Sequence, residues 1–411
     1  RASGMPLLRQ AFVPQPIVNL DADELRAYVY GDDPTTGRPF MQEVLEGLTT
    51  ALDEHAVKNA KFERSTPRYA EAPDEDALHE LFLRSDWTDQ LPIVLPTPER
   101  VEAMLAGTSH APDEVVGHMR PTAYREAWEF TVEKVAVNAV MAGARPEYLP
   151  VILALAASGV SARHSTTSSM ANMAVVNGPI RHEIGMGSGT GAMGPYNHAN
   201  VTIGRAYSLL SQNLQGGSLP GETYMGSQGN AYAFTNVTFA ENEEASPWEP
   251  FHAEHGFEPS QSTVGIWWGL WSTTFMHGVR ERLWRENVRN MLRGMDPLMG
   301  PVLLLDPIAA REFVQRGPFE SKAELIDWVH ANATLPAGEY WDNQMIQTLV
   351  YPKAALGIEP FAGNLAAADD EHVPMFRHED IKVVVVGGET MGTWRMIGGM
   401  FAGVHSIDAW R

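Results

Sequence analysis

Glu241, Asn242, Glu243 and Glu244 are followed closely by Trp248, His252, Glu254 and His255, so that acid, amide, aromatic and imidazole groups crowd into one short stretch. Such a set suits proton transfer. A carboxylate beside aromatic rings loses hydration, its pKa rises toward neutrality, and it can then serve as general acid or base. Glu241, Glu244 and His252 are the candidates for that role. Arg145 and Arg205 can bind a substrate carboxylate or phosphate through the guanidinium fork, and Asn138, Asn177 and Asn242 can donate hydrogen bonds to developing charge. A second reading is a metal-dependent enzyme using His252, Glu254 and His255, with His164, His182 or His198 in support. A third is a non-catalytic binding or assembly subunit. Trp248 and Phe251 are costly to leave in water, and Pro247 and Pro250 stiffen the segment, which argues against a merely solvated acidic loop.

These side chains need elements to hold them. Ala231–Phe239 alternates bulky and polar residues as a strand does, so the acids are expected to begin where a strand ends, a common place for chemistry. Thr131–Ala144 reads as a buried helix broken at Pro146, with Tyr148–Ser158 a second. At about 100° per residue, Lys134, Asn138, Met141 and Arg145 fall within roughly 60° of one another. That narrow polar stripe meets water or lines a cavity, and the expectation is one cavity shared with the loop 241–255. Ala174–Asn177 reads as a short strand ending in the turn Gly178-Pro179.

The stretch Ile184–Pro195 is glycine-rich and leads to a helix for which Asn200 is a plausible cap; a loop of this kind can hold an anion at the helix N-terminus. Gly189-Thr-Gly191-Ala-Met-Gly194 spells G-x-G-x-x-G, yet Pro195 follows and the strand ends well upstream, so a dinucleotide site is excluded. Met186 and Thr190 likewise rule out a nucleophile elbow at Ser188. Val302–Asp306 and Ile381–Val386 are apolar strands, the second closed by Gly387-Gly388, and Ser321-Lys-Ala-Glu324 is a capping box opening a helix around Leu325–Ala331. The pattern favours an α/β fold with mixed or mostly parallel sheets covered by helices. Residues 1–90, with proline and acid clusters around the amphipathic stretch Phe40–Leu52, read as a less regular N-terminal extension or small lobe, and 91–411 as the α/β domain. No internal repeat is visible.

Composition narrows the partners. The 411 residues carry a formal net charge of -21, which disfavours nucleic acid and anionic membranes. Arg282, Arg285, Arg289 and Arg293 form a basic stripe on one helix, read as a solvated or subunit-contact face. Cysteine is absent, so disulfides, thiolate metal sites and a cysteine nucleophile are excluded. No apolar run of about 18 residues and no signal-like start is present. The expectation is a cytoplasmic homo-oligomer acting on a small molecule, with no cofactor and no metal.

Several strings taken together resemble an uncharacterised bacterial family associated with small modules named for a U-G-S-C (seleno)cysteine motif. They are Ile93-Val-Leu-Pro-Thr-Pro-Glu-Arg-Val101, Val132–Tyr148, Val176-Asn-Gly-Pro179, Ala199-Asn-Val-Thr-Ile-Gly-Arg205, Ala240-Glu-Asn-Glu-Glu-Ala-Ser-Pro-Trp-Glu-Pro250 and Val385-Val-Gly-Gly388. The resemblance covers roughly residues 91–411. It implies that Asn138, Arg145, Asn177, Asn200, Arg205, Glu241, Asn242, Glu244, Trp248 and His252 occupy family-motif positions, which adds Asn200 and Trp248 to the substrate-binding set. The family pattern has Cys where this chain has Ala144 and usually has Arg at the His255 position, and no U-G-S-C segment is present in this chain. These departures speak against thiol or selenol redox chemistry and against a two-histidine metal site.

Overall fold

The structure, a computed structural model, describes residues 9–14, 17, 20–51, 68–119, 128–164, 169–215, 221, 224, 226–270, 273–277, 279 and 282–411. Two compact units divide the chain, one drawn mainly from residues 1–70 and the other from Glu71 onward. The boundary therefore falls at 70/71 and not at 90/91. The helix Glu75–Arg84 belongs to the larger unit because Leu78 and Phe82 pack on its core. In the smaller unit, Asp21 and Glu24 form a capping box that starts the helix Ala22–Tyr30. Buried Asp33 gathers the amides of Phe12, Thr35 and Thr36 ahead of the helix Phe40–Thr49. Leu52, the end expected for that helix, lies outside the described residues.

In the larger unit, β1 (Val115–His118) and β2 (Glu129–Thr131) form a small antiparallel pair. Two four-stranded sheets carry the rest. β3 (Ala171–Asn177), β4 (Val237–Ala240), β5 (Thr263–Leu270) and β6 (Thr273–His277) come from one half of the unit. β7 (Pro301–Leu305), β10 (Lys382–Val385), β11 (Thr393–Gly398) and β12 (Met400–Ser406) come from the other, with β8 (Thr334–Pro336) and β9 (His372–Pro374) pairing between. The sheet orders are β12-β5-β3-β4 and β10-β7-β11-β6.

Strand periodicity sorts the side chains into layers. Ala171, Met173 and Val175 share a core with Val302, Leu304, Val384 and Val386 between the sheets. Ala174 and Val176 point the other way, into a core filled by the helices Val132–Met141, Leu149–Ala157 and His198–Leu214. Leu303, Leu305, Val383 and Val385 face Trp284–Arg293, Pro307–Arg316 and Lys322–Asn332 in the same manner. The fold is thus α/β, with two stacked mixed sheets flanked by helices. Neither sheet is mostly parallel, since β3/β4 and β7/β10 are the parallel pairs and their other ladders are antiparallel.

The topology repeats even though the sequence does not. In each half a parallel pair is joined by a helical crossover, an antiparallel strand follows beside the first strand, and the next strand crosses to the edge of the other sheet. The bonds Glu241 N to Val176 O, 3.1 Å, and Val386 N to Leu305 O, 2.8 Å, occupy equivalent places.

Two local expectations change. The alternation in Ala231–Phe239 becomes a 3-10 turn, Ala231–Ala233, and a strand only from Val237, because Asn230 caps the Tyr232 amide and Asn236 takes a left-handed φ of 52°. Asn200 is not a cap but lies inside the helix His198–Leu214. That helix also fixes a testable contact. A Cβ on Gly204 would collide with the carbonyl oxygen of Thr235. Gly204→Ala, which in an exposed helix gains about 1 kcal/mol, should here cost about 1–3 kcal/mol by overpacking. Thermal melting reads the sign, and a rise in melting temperature would show that the helix does not seat on the Thr235 turn.

Candidate functional site

The inward-facing positions of the first sheet turn polar at the strand ends. Asn177 follows Val175 on the inner face of β3, Thr263 is its register partner on β5, and Glu241 continues the inner face of β4. All three are fully buried, and they stand in a row across neighbouring strands, where ligands commonly bind in open α/β sheets.

Glu241 is held by three donors. Asn177 Nδ2 and the Phe251 amide each donate to Oε2 at 2.6 Å, and Lys322 Nζ donates to Oε1 at 3.1 Å. Lys322, itself buried, also reaches Glu254 at 3.3 Å. Glu243 Oε1 accepts from Asn177 Nδ2 at 2.9 Å and the Gly178 amide at 2.8 Å, and lies 4.0 Å from His252 Nδ1. Buried Arg181 donates to the Glu241 carbonyl and meets Glu243 and Glu244, each at 2.9 Å. Beside these satisfied groups are orphans. Asn177 Oδ1, both ring nitrogens of His252, and Thr263 Oγ1 are buried and have no partner among the described residues. In the other half the equivalent pair is satisfied: Asp306 accepts from the amides of Thr393 and Ala309.

The electrostatics separate the acids. Hydrogen bonding from Arg181, joined by His182 and opposed by burial, holds the Glu244 carboxyl down to about 2. It stays ionised and is removed from the proton-transfer set. Burial raises the Glu254 carboxyl above its ordinary value against the pull of Lys322. Burial also lowers His255 to about 4, with Lys382 and Lys322 adding to the effect, so its ring is neutral at pH 7. That ring lies on Phe251 and Phe401, centroids 4.6 and 4.9 Å away.

Of the residues expected at a site, the structure brings together Asn177, Glu241 and His252. Asn242 is adjacent, but its amide and side chain bond Val385 O and Gly387 O, tying the two sheets. Asn138 bonds Lys134 O and Asn213 in a helix seam, and Arg145 is exposed beside Glu147. Neither meets Glu241: among the described residues the buried side of the stripe is taken up by the helix that carries Asn213. Arg205 is not free for substrate: it forks onto Asp89 at 2.9 and 2.8 Å. Asn200 pins the glycine loop through Gly187 and Ala192, and Trp248 is buried with Nε1 on Phe319 O. Glu243, Arg181, Thr263 and Lys322 were not singled out from the sequence. Glu243 stood in the acid run itself, whereas Lys322 was hidden in a helix cap.

The metal reading finds no support in the geometry. His182 bonds Glu244, His198 bonds Tyr148 and His164 stacks on Trp268. Among the described residues no three acid or imidazole groups are placed to hold an ion. A depression of about 640 Å³ is lined by Arg293, Asp296, Leu335 and Glu339 and shares no residue with the strand-end cluster. It is an open groove, so the enclosed polar row is the better candidate. Comparison with known proteins returns no match to a family model, a curated protein or a solved structure.

Two outcomes follow from the charges. Lys322→Met strands a buried carboxylate and should cost about 3–5 kcal/mol in denaturant unfolding. Adding Glu241→Gln should recover part of that loss, and strict additivity of the two would mean that the ions are uncoupled. Glu244, depressed from 4.5 to about 2, contributes stability that is present above its unfolded value and lost as pH falls toward 2. The melting-temperature gap between wild type and Glu244→Gln should therefore be widest above about pH 4.5 and close in stronger acid; a gap independent of pH would show that the carboxylate charge is not involved.

Proposed function

We propose that the protein is an enzyme performing acid–base chemistry, of lyase or hydrolase type, on a small polar molecule at the strand-end site, with His252 moving the proton. The observation that carries this reading is the set of buried, unpartnered atoms on Asn177, His252 and Thr263. Leaving a buried polar atom unmade costs about 1–3 kcal/mol, so a fold that keeps several side by side is suited to a ligand that completes them. Asn177 Nδ2 is already committed to two carboxylates. Its Oδ1 therefore presents an acceptor, which calls for a substrate hydroxyl or amine. Glu243 stands 4.0 Å from the imidazole and would close on the ring when substrate binds, since catalytic contacts that are long without substrate tighten in the complex. The Lys322–Glu241 pair fixes the wall, and Glu254 and His255 stand on its solvent side.

The reaction class rests on this geometry alone, since the resemblance to the U-G-S-C-associated family names no reaction. Among the described residues no helix is long and apolar enough to cross a membrane. Cytoplasmic location and a homo-oligomeric state belong to the proposal. A non-catalytic binding subunit is the second reading, favoured by the three donors that already fill the Glu241 carboxylate.

The test is incubation with pooled small hydroxy, amino and amide compounds, with consumption followed by NMR. Wild type should consume at least one component. His252→Gln should slow that turnover by about 10² to 10⁴ at little cost in melting temperature, while Glu244→Gln should leave it nearly intact. Undiminished turnover in His252→Gln refutes the assignment, and saturable binding without consumption establishes the second reading.

A further inference from the structure

We propose that a second site, for a small anion of carboxylate or phosphate size, lies between the sheets beside Arg395. A cavity of about 120 Å³ opens there, lined by Arg395 and Ile397 of β11, Thr238 of β4, Tyr232, and Met193 of the glycine-rich loop. Strand alternation aims the arginine inward: Trp394 and Met396 face the helix side, Ile397 the sheet–sheet core. Among the described residues the Arg395 guanidinium makes no hydrogen bond or ion pair, and neither does the Tyr232 hydroxyl. Among the described residues no carboxylate lines the cavity, although the chain holds 51 acidic residues against 30 basic ones. A half-buried cation without a counter-ion is unfavourable, and an anion entering this space supplies the missing charge to a fork of donors.

Size and topology point the same way. A single water needs only about 10–15 Å³ of such space, so the cavity has room for a carboxylate or phosphate group. The topological repeat supplies a control within the molecule. Arg395 is the register partner of Leu304 on β7, and the equivalent residue is Gly265, opposite Val175 on β3. Over Gly265 the space is filled: a Cβ there would meet Phe251 Cε1 at 3.1 Å. One half of the fold thus plugs this position with an aromatic ring, and the other leaves it open beside a cation. The site shares no residue with the strand-end cluster and does not depend on the function proposed for it.

Inorganic phosphate and acetate, each titrated against chloride at matched ionic strength, should give saturable binding by calorimetry for at least one of them, and the stronger identifies the source chemistry. Arg395→Gln should weaken that binding at least about tenfold, with Arg395→Lys intermediate. Should Arg395→Gln not fold, wild type still decides: the binding anion should protect Arg395 from phenylglyoxal, mapped by mass spectrometry on the peptide containing Trp394. Equal binding in folded Arg395→Gln, no saturable binding of either anion, or unprotected Arg395 overturns the proposal.

Discussion

The ion pair between Lys322 and Glu241 is the constraint on which the centre of the larger unit depends. Both groups are buried and their charged atoms lie 3.1 Å apart. Taking either ion out of water alone costs several kcal/mol, so neither is tolerable without the other. The pair also explains an oddity of sequence. Lys322 is the first residue of its helix, where a positive charge opposes the helix dipole. Its place is dictated by Glu241 and Glu254 and not by the helix it begins. Glu241 belongs to the end of β4 and Lys322 to a helix covering the other sheet, so the contact couples the two layers.

Around that pair the two halves have diverged while keeping one topology. Glu241 has Val386 as its counterpart, Asn177 has Asp306, and Gly265 has Arg395. In the second half Asp306 caps its helix and accepts from Thr393, which spends its bonding capacity on structure. In the first, Asn177 turns its amide to carboxylates and leaves its oxygen unpartnered. The same backbone positions thus serve as scaffold on one side and as a prospective binding surface on the other. This division assigns the candidate site to the first half without any appeal to relatives.

Much of the fold was legible because it follows from short-range pattern. The apolar runs at Val302 and Val383 made strands, the helix at Thr131 formed nearly where expected, and Ser321 capped its helix through the Glu324 amide. The layers and the crossing of β6 and β12 were not legible, since they depend on partners distant in the chain. The same limit shaped the site. The crowding after β4 marked the right segment, but guanidinium and carboxylate groups far apart in sequence decided which members were spent. Asp89 claimed Arg205, and Arg181 claimed Glu244. Alternation in Ala231–Phe239 misled for a local reason, the left-handed turn at Asn236.

The proposed acid–base chemistry does not rest on the most conspicuous acids. Glu244 is conspicuous because it is exposed in a charged run, and the guanidinium that makes it orderly also holds its proton affinity too low for exchange near neutrality. Glu241 is buried, but three donors already fill its two oxygens. A group that must give and take a proton needs an uncommitted atom facing the reacting partner. In this cluster that condition is met by His252, whose two ring nitrogens have no hydrogen-bond partner among the described residues and which lies 4.0 Å from Glu243. The imidazole is therefore the buried member of the acidic loop that stays unpartnered among the described residues, whereas Glu241, Glu243, Glu244 and Glu254 are each bound.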